Sequence, residues 1–188
     1  MSDRIQVLFV DDEVEFVTYM KKRLERHELD VHAFTNPVEA LGATEGHSYD
    51  IGLLDLKMPE MSGEELLNEL KVRDPGMEII ILTGHGSIES AFRSAKKGAY
   101  EYLLKPCDFD DLVASINTAY AKRIKALSGA SAARVDAVME NADGLPPLAV
   151  LKELKKVFDS VVTHLSAAAM AEGGDPDSAR EMMGRDRD

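Results

Sequence analysis

Four short apolar runs in this chain end in residues suited to phosphoryl chemistry. Asp11 and Asp12 follow Ile5 to Val10, Asp55 follows Ile51 to Leu54, Thr83 follows Ile79 to Leu82, and Lys105 follows Tyr100 to Leu104. Neighbouring parallel strands would bring these ends to one edge, where open α/β sheets place ligands. Three carboxylates in one cleft repel each other unless a cation neutralises them, and hard oxygen donors favour Mg²⁺ or Mn²⁺. Lys105 would add a fixed positive charge and Thr83 a hydroxyl donor. Metal, ammonium and hydroxyl around one carboxylate make a clamp for a transferring phosphoryl group, with Asp55, between the other contributors, as its acceptor.

The elements that must position these residues are legible up to Leu127. Strand patterns at Ile5 to Val10, Asp30 to Phe34, Ile51 to Leu54, Glu78 to Leu82 and Tyr100 to Leu104 alternate with helix patterns. Those helices span Glu15 to Arg26, Pro37 to Glu45, Gly63 to Arg73, Ser87 to Lys97 and Phe109 to Ile124. Short connections between alternating elements require a parallel α/β sheet. Continuous apolar runs suit central strands covered on both faces, and the mixed Asp30 to Phe34 suits an edge. Asn36 and Asp108 are suitable N-caps, and Gly98 is a C-terminal stop.

Beyond Leu127, Ser128 to Ser131 reads as a small-residue break before a short helix over Ala132 to Ala142. Pro146-Pro147 opens a second helix with an apolar stripe of Leu151, Leu154, Phe158, Val161 and Leu165, widened by Val150, Val157 and Val162. The stripe has two readings, packing within the chain or homodimerisation through a short helical bundle. From Glu172 onward the apolar content is too low to fold, so a disordered tail is expected.

The 188 residues carry 45% hydrophobic residues and a net charge of -12. That charge argues against nucleic-acid binding, which needs clustered Lys and Arg. The segment from Ser128 holds 7 basic and 11 acidic residues, so neither part of the chain is basic. No apolar run approaches the roughly 20 residues of a membrane helix, and the opening residues lack a signal-peptide pattern. A cytoplasmic protein without membrane contact is expected. The single cysteine, Cys107, has no second cysteine to form an internal disulfide and reads as a small helix-start residue.

Together the motifs resemble the receiver domain of two-component response regulators. The matching segments are Phe9-Val10-Asp11-Asp12-Glu13, Leu54-Asp55-Leu56-Lys57-Met58-Pro59 with Gly63, Leu82-Thr83-Gly84, and Tyr102-Leu103-Leu104-Lys105-Pro106. The resemblance runs from Arg4 to about Ala126 and implies a flavodoxin-like, doubly wound five-stranded parallel sheet of order 2-1-3-4-5. Residues 1–127 would be the receiver, 128–171 a helical extension and 172–188 the tail. The resemblance further implies phosphorylation of Asp55 by a sensor histidine kinase or phosphotransfer protein. Mg²⁺ would be held by Asp12, Asp55 and the carbonyl of Lys57, with Asp11 acting through water. Lys105 and Thr83 would contact the phosphoryl oxygens, Thr83 and Tyr102 would switch, and a downstream protein target would read the result.

Each motif alone has a plainer reading. An isolated Asp11-Asp12-Glu13 could only favour a helix N-terminus, Lys105-Pro106 could be a turn, Thr83 a strand end and Tyr102 a core aromatic. Their joint occurrence at successive strand ends selects the receiver reading, a signalling protein rather than an enzyme. The alternative, a Mg²⁺-dependent phosphohydrolase with an aspartyl nucleophile, would need a second acid two residues after Asp55, where Lys57 stands. Gly84-His85-Gly86 lacks the Lys-Ser/Thr ending of a P-loop. His27, His32 and His47 lack a metal spacing, and His164, in the second helix, lacks the Lys-Gly that follows a phosphotransfer histidine.

Overall fold

The computed structural model describes residues 4–27, 29–127, 129–142, 145–146 and 149–160. Five parallel strands form its centre: β1 (Ile5–Val10), β2 (Leu29–Phe34), β3 (Ile51–Leu54), β4 (Glu78–Thr83) and β5 (Glu101–Leu104). Their order is β2-β1-β3-β4-β5, with register Phe9↔Leu53, Leu53↔Ile80 and Thr83↔Leu104. Helices α1 (Val14–Glu25), α2 (Pro37–Ala43), α3 (Gly63–Arg73), α4 (Ile88–Lys96) and α5 (Phe109–Leu127) alternate with the strands.

Side chains along a strand point alternately to opposite faces, and the core divides accordingly. Val7 and Phe9 of β1, with Ile80 and Leu82 of β4, pack with α1 and α5. Leu8 and Val10, with Ile79 and Ile81, pack with α3 on the other face. Central strands are therefore apolar at nearly every position, with Gln6, Glu78 and Thr83 the exceptions at or near strand ends, whereas β2 and β5 are edges with partly exposed residues.

Local signals set most helix ends. The side chain of Asn36 accepts from the backbone N–H groups of Val38 and Glu39, and Asp108 accepts from that of Asp110. Ser62 and Glu65 close a capping box at α3. Gly98 follows α4 with φ +90°, a left-handed conformation that favours glycine. Helix α2 stops at Ala43, two residues before the expected end, and α5 continues three residues beyond Ile124.

The C-terminal segments depart from expectation in one respect. Helix α6 (Gly129–Glu140) begins inside the supposed small-residue break, because Gly129 is followed by alanine-rich sequence with high helix propensity. A further helix, α7, covers residues 149–160. Val135 of α6 and Val150, Leu151, Leu154 and Val157 of α7 are buried in the same cluster as Ile5, Leu29, Tyr120 and Ile124. The rings of Phe158 and Tyr120 lie 5.7 Å apart, and Arg134 donates to Ser160 Oγ at 2.8 Å. Of the two readings of the stripe, the described part packs within its own chain. Val161, Val162, His164, Leu165 and the tail from Glu172 lie outside the described residues.

Candidate functional site

Two buried carboxylates meet one ammonium at the carboxyl edge of the sheet. Asp11 is 0% exposed and Asp55 is 5% exposed. Asp11 follows β1 and its N–H donates to Phe34 O, while Asp55 follows β3 and its N–H donates to Val10 O at 2.9 Å. Side-chain bonds then orient both acids. Asp11 Oδ1 accepts from Glu13 N–H at 3.1 Å, and Asp55 Oδ2 from Lys57 N–H at 2.6 Å.

Lys105 closes the site from the end of β5, next to the cis Lys105–Pro106 bond. Its Nζ hydrogen-bonds Asp11 Oδ2, lies 3.5 Å from Asp55 Oδ1 and 3.4 Å from Glu13 Oε1. It also stands 4.2 Å from the centre of the Phe16 ring, a cation–π contact. Burial disfavours the charged lysine, but the bond to Asp11 and the charges of Asp11, Asp55 and Glu13 outweigh it and hold Lys105 above its usual pKa. Burial pushes the Asp11 carboxyl up, opposed by Lys105 and reinforced by Asp55.

Thr83 ends β4 beside this group. Its side chain is buried, its Oγ1 accepts from His85 N–H at 3.2 Å, and its carbonyl accepts from Lys105 N–H at 2.9 Å. Tyr102, two residues before Leu104 on β5, is half-buried, and its hydroxyl lies 2.9 Å from Ser90 Oγ. Asp12 and Lys57 sit exposed at the rim.

The receiver-domain family model of response regulators matches residues 7–117. The chain belongs to the response regulator receiver family. The Salmonella typhimurium transcriptional regulatory protein ZraR is 30% identical over 184 residues, covering 97% of this chain and 40% of that protein. The C4-dicarboxylate transport transcriptional regulatory protein DctD of Rhizobium meliloti is 30% identical over 180 residues, covering 92% of this chain and 39% of its own length. The chain thus spans about two fifths of these curated relatives, and 27% of the Escherichia coli (strain K12) ZraR, which it matches at 34% identity over 63% of its own length. Among solved structures, a receiver domain from Clostridium thermocellum is 37% identical with a TM-score of 0.62, covering 66% of this chain and 99% of its own. A CheY-like receiver from Methanospirillum hungatei is 31% identical with a TM-score of 0.63, covering 65% and 98%.

Receiver domains are signalling domains that work with histidine kinases or phosphotransfer proteins and generally bind Mg²⁺ for phosphorylation. Among the described residues of this receiver, no three His, Cys, Asp or Glu side chains form a metal cage, and the Lys105 ammonium contacts both Asp11 and Asp55. The donor chemistry nevertheless fits a hard divalent ion. Asp11, Asp12, Asp55 and Glu13 outnumber the ammonium groups of Lys105 and Lys57, and Mg²⁺ typically takes one or two carboxylates and retains water. No helix among the described residues is long and apolar enough to cross a membrane.

Sequence reasoning missed Phe16 and Ser90, and named Glu13 only as a motif residue, without its contact to Lys105. Phe16 supports Lys105, Glu13 shares its charge, and Ser90 holds Tyr102. The helix spacing hinted at Phe16, on the first turn of α1, but nothing local marked Ser90.

Proposed function

We propose that this receiver accepts a phosphoryl group on Asp55 from the phosphohistidine of a sensor histidine kinase or phosphotransfer protein, and signals the change by protein contact. A carboxylate oxygen of Asp55 attacks phosphorus, the P–N bond breaks, and the imidazole nitrogen leaves with the electron pair and gains a proton. Residues 1–127 are the receiver, followed by an extension whose described helices are α6 and α7.

The observation that carries this reading is the ammonium of Lys105, on Asp11 and 3.5 Å from Asp55 Oδ1. A fixed cation there opposes the negative charge that builds on a transferring phosphoryl group, and the buried Thr83 hydroxyl at the next strand end supplies a donor. Asp12, Asp55 and the Lys57 carbonyl would hold Mg²⁺, with Asp11 acting through water, and the bound ion supplies positive charge against the phosphoryl oxygens. A second acid two residues after Asp55, required for the phosphohydrolase reading, is absent from the sequence.

Phosphorylation replaces the single negative charge of the Asp55 carboxylate with an acyl phosphate carrying about 1.5 to 2, a net gain of about 0.5 to 1 negative charge beside Thr83 and Lys105. Thr83 and Tyr102 then shift between two packings and alter the face carrying Ile88, Phe92 and Leu104, whose apolar side chains are exposed. That face is the contact offered to a downstream protein. The net charge of -12 supports protein contact over nucleic-acid contact for these 188 residues. Transcriptional regulation is named for the relatives, of which this chain spans 27% to 40%.

Intact mass with Mg²⁺ and acetyl phosphate tests the proposal. One added phosphoryl group in the native chain and none in Asp55→Asn is the expected result. Full labelling of Asp55→Asn would overturn the site assignment.

A further inference from the structure

Helix α4 is held at its start by hydrogen bonds more than by packing. Its buried residues are the small, polar Ser90 and Ser94, while Ile88 and Phe92 face solvent. Ser87 is the N-cap, and its Oγ accepts from Ser90 N–H at 3.1 Å. Ser90 Oγ accepts from Ser87 N–H at 2.9 Å and donates to Ser87 O at 2.9 Å, closing a capping box.

The same oxygen lies 2.9 Å from the Tyr102 hydroxyl. A serine hydroxyl offers one proton and two acceptor positions. With the proton on Ser87 O, Ser90 Oγ takes Ser87 N–H at one acceptor position, and Tyr102 O–H at 2.9 Å shares the other with the Ser87 hydroxyl at 3.1 Å. The loop before α4 also presses on this aromatic. A Cβ on Gly86 would fall 2.1 Å from Leu104 Cδ2 and 3.0 Å from the Tyr102 hydroxyl. Tyr102 is therefore seated between the glycine of the loop and the first turn of the helix.

We infer that Ser90 is a positioning residue that ties Tyr102 to the N-terminal cap of α4, so that the aromatic and the first helical turn move as a unit. Ser90 is buried and its Oγ also lies 3.1 Å from Ser87 Oγ, so departure of the tyrosine hydroxyl shifts that acceptor onto the Ser87 hydroxyl and redistributes the hydrogen bonds of the cap. Ile88 lies within that first turn and Phe92 one turn later. A rotation of Tyr102 thereby reaches the exposed apolar side chains of α4 directly. This consequence rests on the proposed switch role of Tyr102, whereas the tie itself does not.

Hydrogen exchange of residues 87–97 in the full chain, first with Mg²⁺ and no phosphodonor, tests the tie. Tyr102→Phe should speed exchange of the first turn about 3- to 10-fold, the scale of one lost hydrogen bond, and Ser90→Ala by at least as much, because it also removes the capping-box bonds of its hydroxyl. The double variant should exchange no faster than the faster single variant, because both remove the same bond. Multiplying effects would overturn the inference, since Ser90 would then act through the cap alone. Unchanged exchange in Tyr102→Phe would overturn it as well. Adding acetyl phosphate then reads the signalling step: the native chain should gain exchange in this turn and Ser90→Ala should show little further gain. Equal gains in both would overturn the coupling to α4. Intact mass on the same samples keeps the readings apart, because absence of a phosphoryl gain counts against Asp55 while the exchange cycle still decides Ser90.

Discussion

Lys105 bonds Asp11 and only approaches Asp55. Its ammonium hydrogen-bonds Asp11 Oδ2 and stands 3.5 Å from Asp55 Oδ1. The cation therefore has two duties, neutralising a carboxylate that is 0% exposed and lending charge to the proposed acceptor. Removing one partner of a buried pair leaves the other charge unmatched. Lys105→Met should cost about 3 kcal/mol in Mg²⁺-free urea unfolding, near the low end for buried pairs because Glu13 opens one side to water. Adding Asp11→Asn should recover part of that loss. A cost from Lys105→Met that Asp11→Asn leaves untouched would mean that Lys105 matters for packing and not for charge.

The loop after β3 is set by a close approach of backbone to backbone. A Cβ on Gly63 would lie 1.9 Å from the carbonyl oxygen of Asp55 and 2.9 Å from Leu56 Cα, and neither can swing aside. Gly63→Ala should lower stability by about 1–3 kcal/mol, as overpacking does, and slow phosphoryl uptake by displacing Asp55. Gly42 is the control, because a Cβ there would meet nothing within 4 Å. Gly42→Ala, in helix α2, should stabilise by about 0.5–1 kcal/mol. Equal urea midpoints for the two variants would contradict the contact.

The fold was legible wherever a local pattern was sufficient. The nearly continuous apolar runs of β1, β3 and β4 are a consequence of helices on both faces, and Asn36 and Asp108 announce helix starts by chemistry that needs no tertiary partner. The start of α6 was not legible, because small residues suit a linker and a helix equally until Val135 packs on α5. In the site, strand ends and residue types marked Asp11, Asp55, Thr83 and Lys105. Which acid Lys105 bonds was hidden, as were Arg123 to Asp50 at 3.1 Å and Lys122 to Glu78 at 3.0 Å, since pairs so distant in sequence leave no spacing to read.

Intramolecular packing of the extension makes Leu154 a sensitive position. It is fully buried on α7 in the cluster that includes Tyr120 and Ile124 of α5. Leu154→Ala should cost about 2–5 kcal/mol if α7 shares the receiver core. A single urea transition shifted to lower midpoint is the expected observation. An unchanged midpoint would detach α7 from that core and return the stripe to the dimer reading, which light scattering on the same variant would then assess.

His32 makes stability depend on pH. Its ring stacks on His47 with centroids 4.4 Å apart, its Nδ1 lies 3.1 Å from the Tyr49 hydroxyl, and its Nε2 lies 3.7 Å from Asp30 Oδ1. Burial, then the charge of His47, holds His32 below its ordinary 6.5, and Asp30 only partly opposes them. Above that value the ring is neutral in both folded and unfolded chains and contributes nothing to the pH dependence. As pH falls through about 6.5 the unfolded chain takes up the proton first, so stability declines until the lowered folded value is passed. His32→Gln should therefore lose less Tm than the native chain between about pH 7.5 and pH 5, the interval that brackets the titration of histidine. Parallel Tm curves for the two proteins would show that the stacked pair carries no proton linkage.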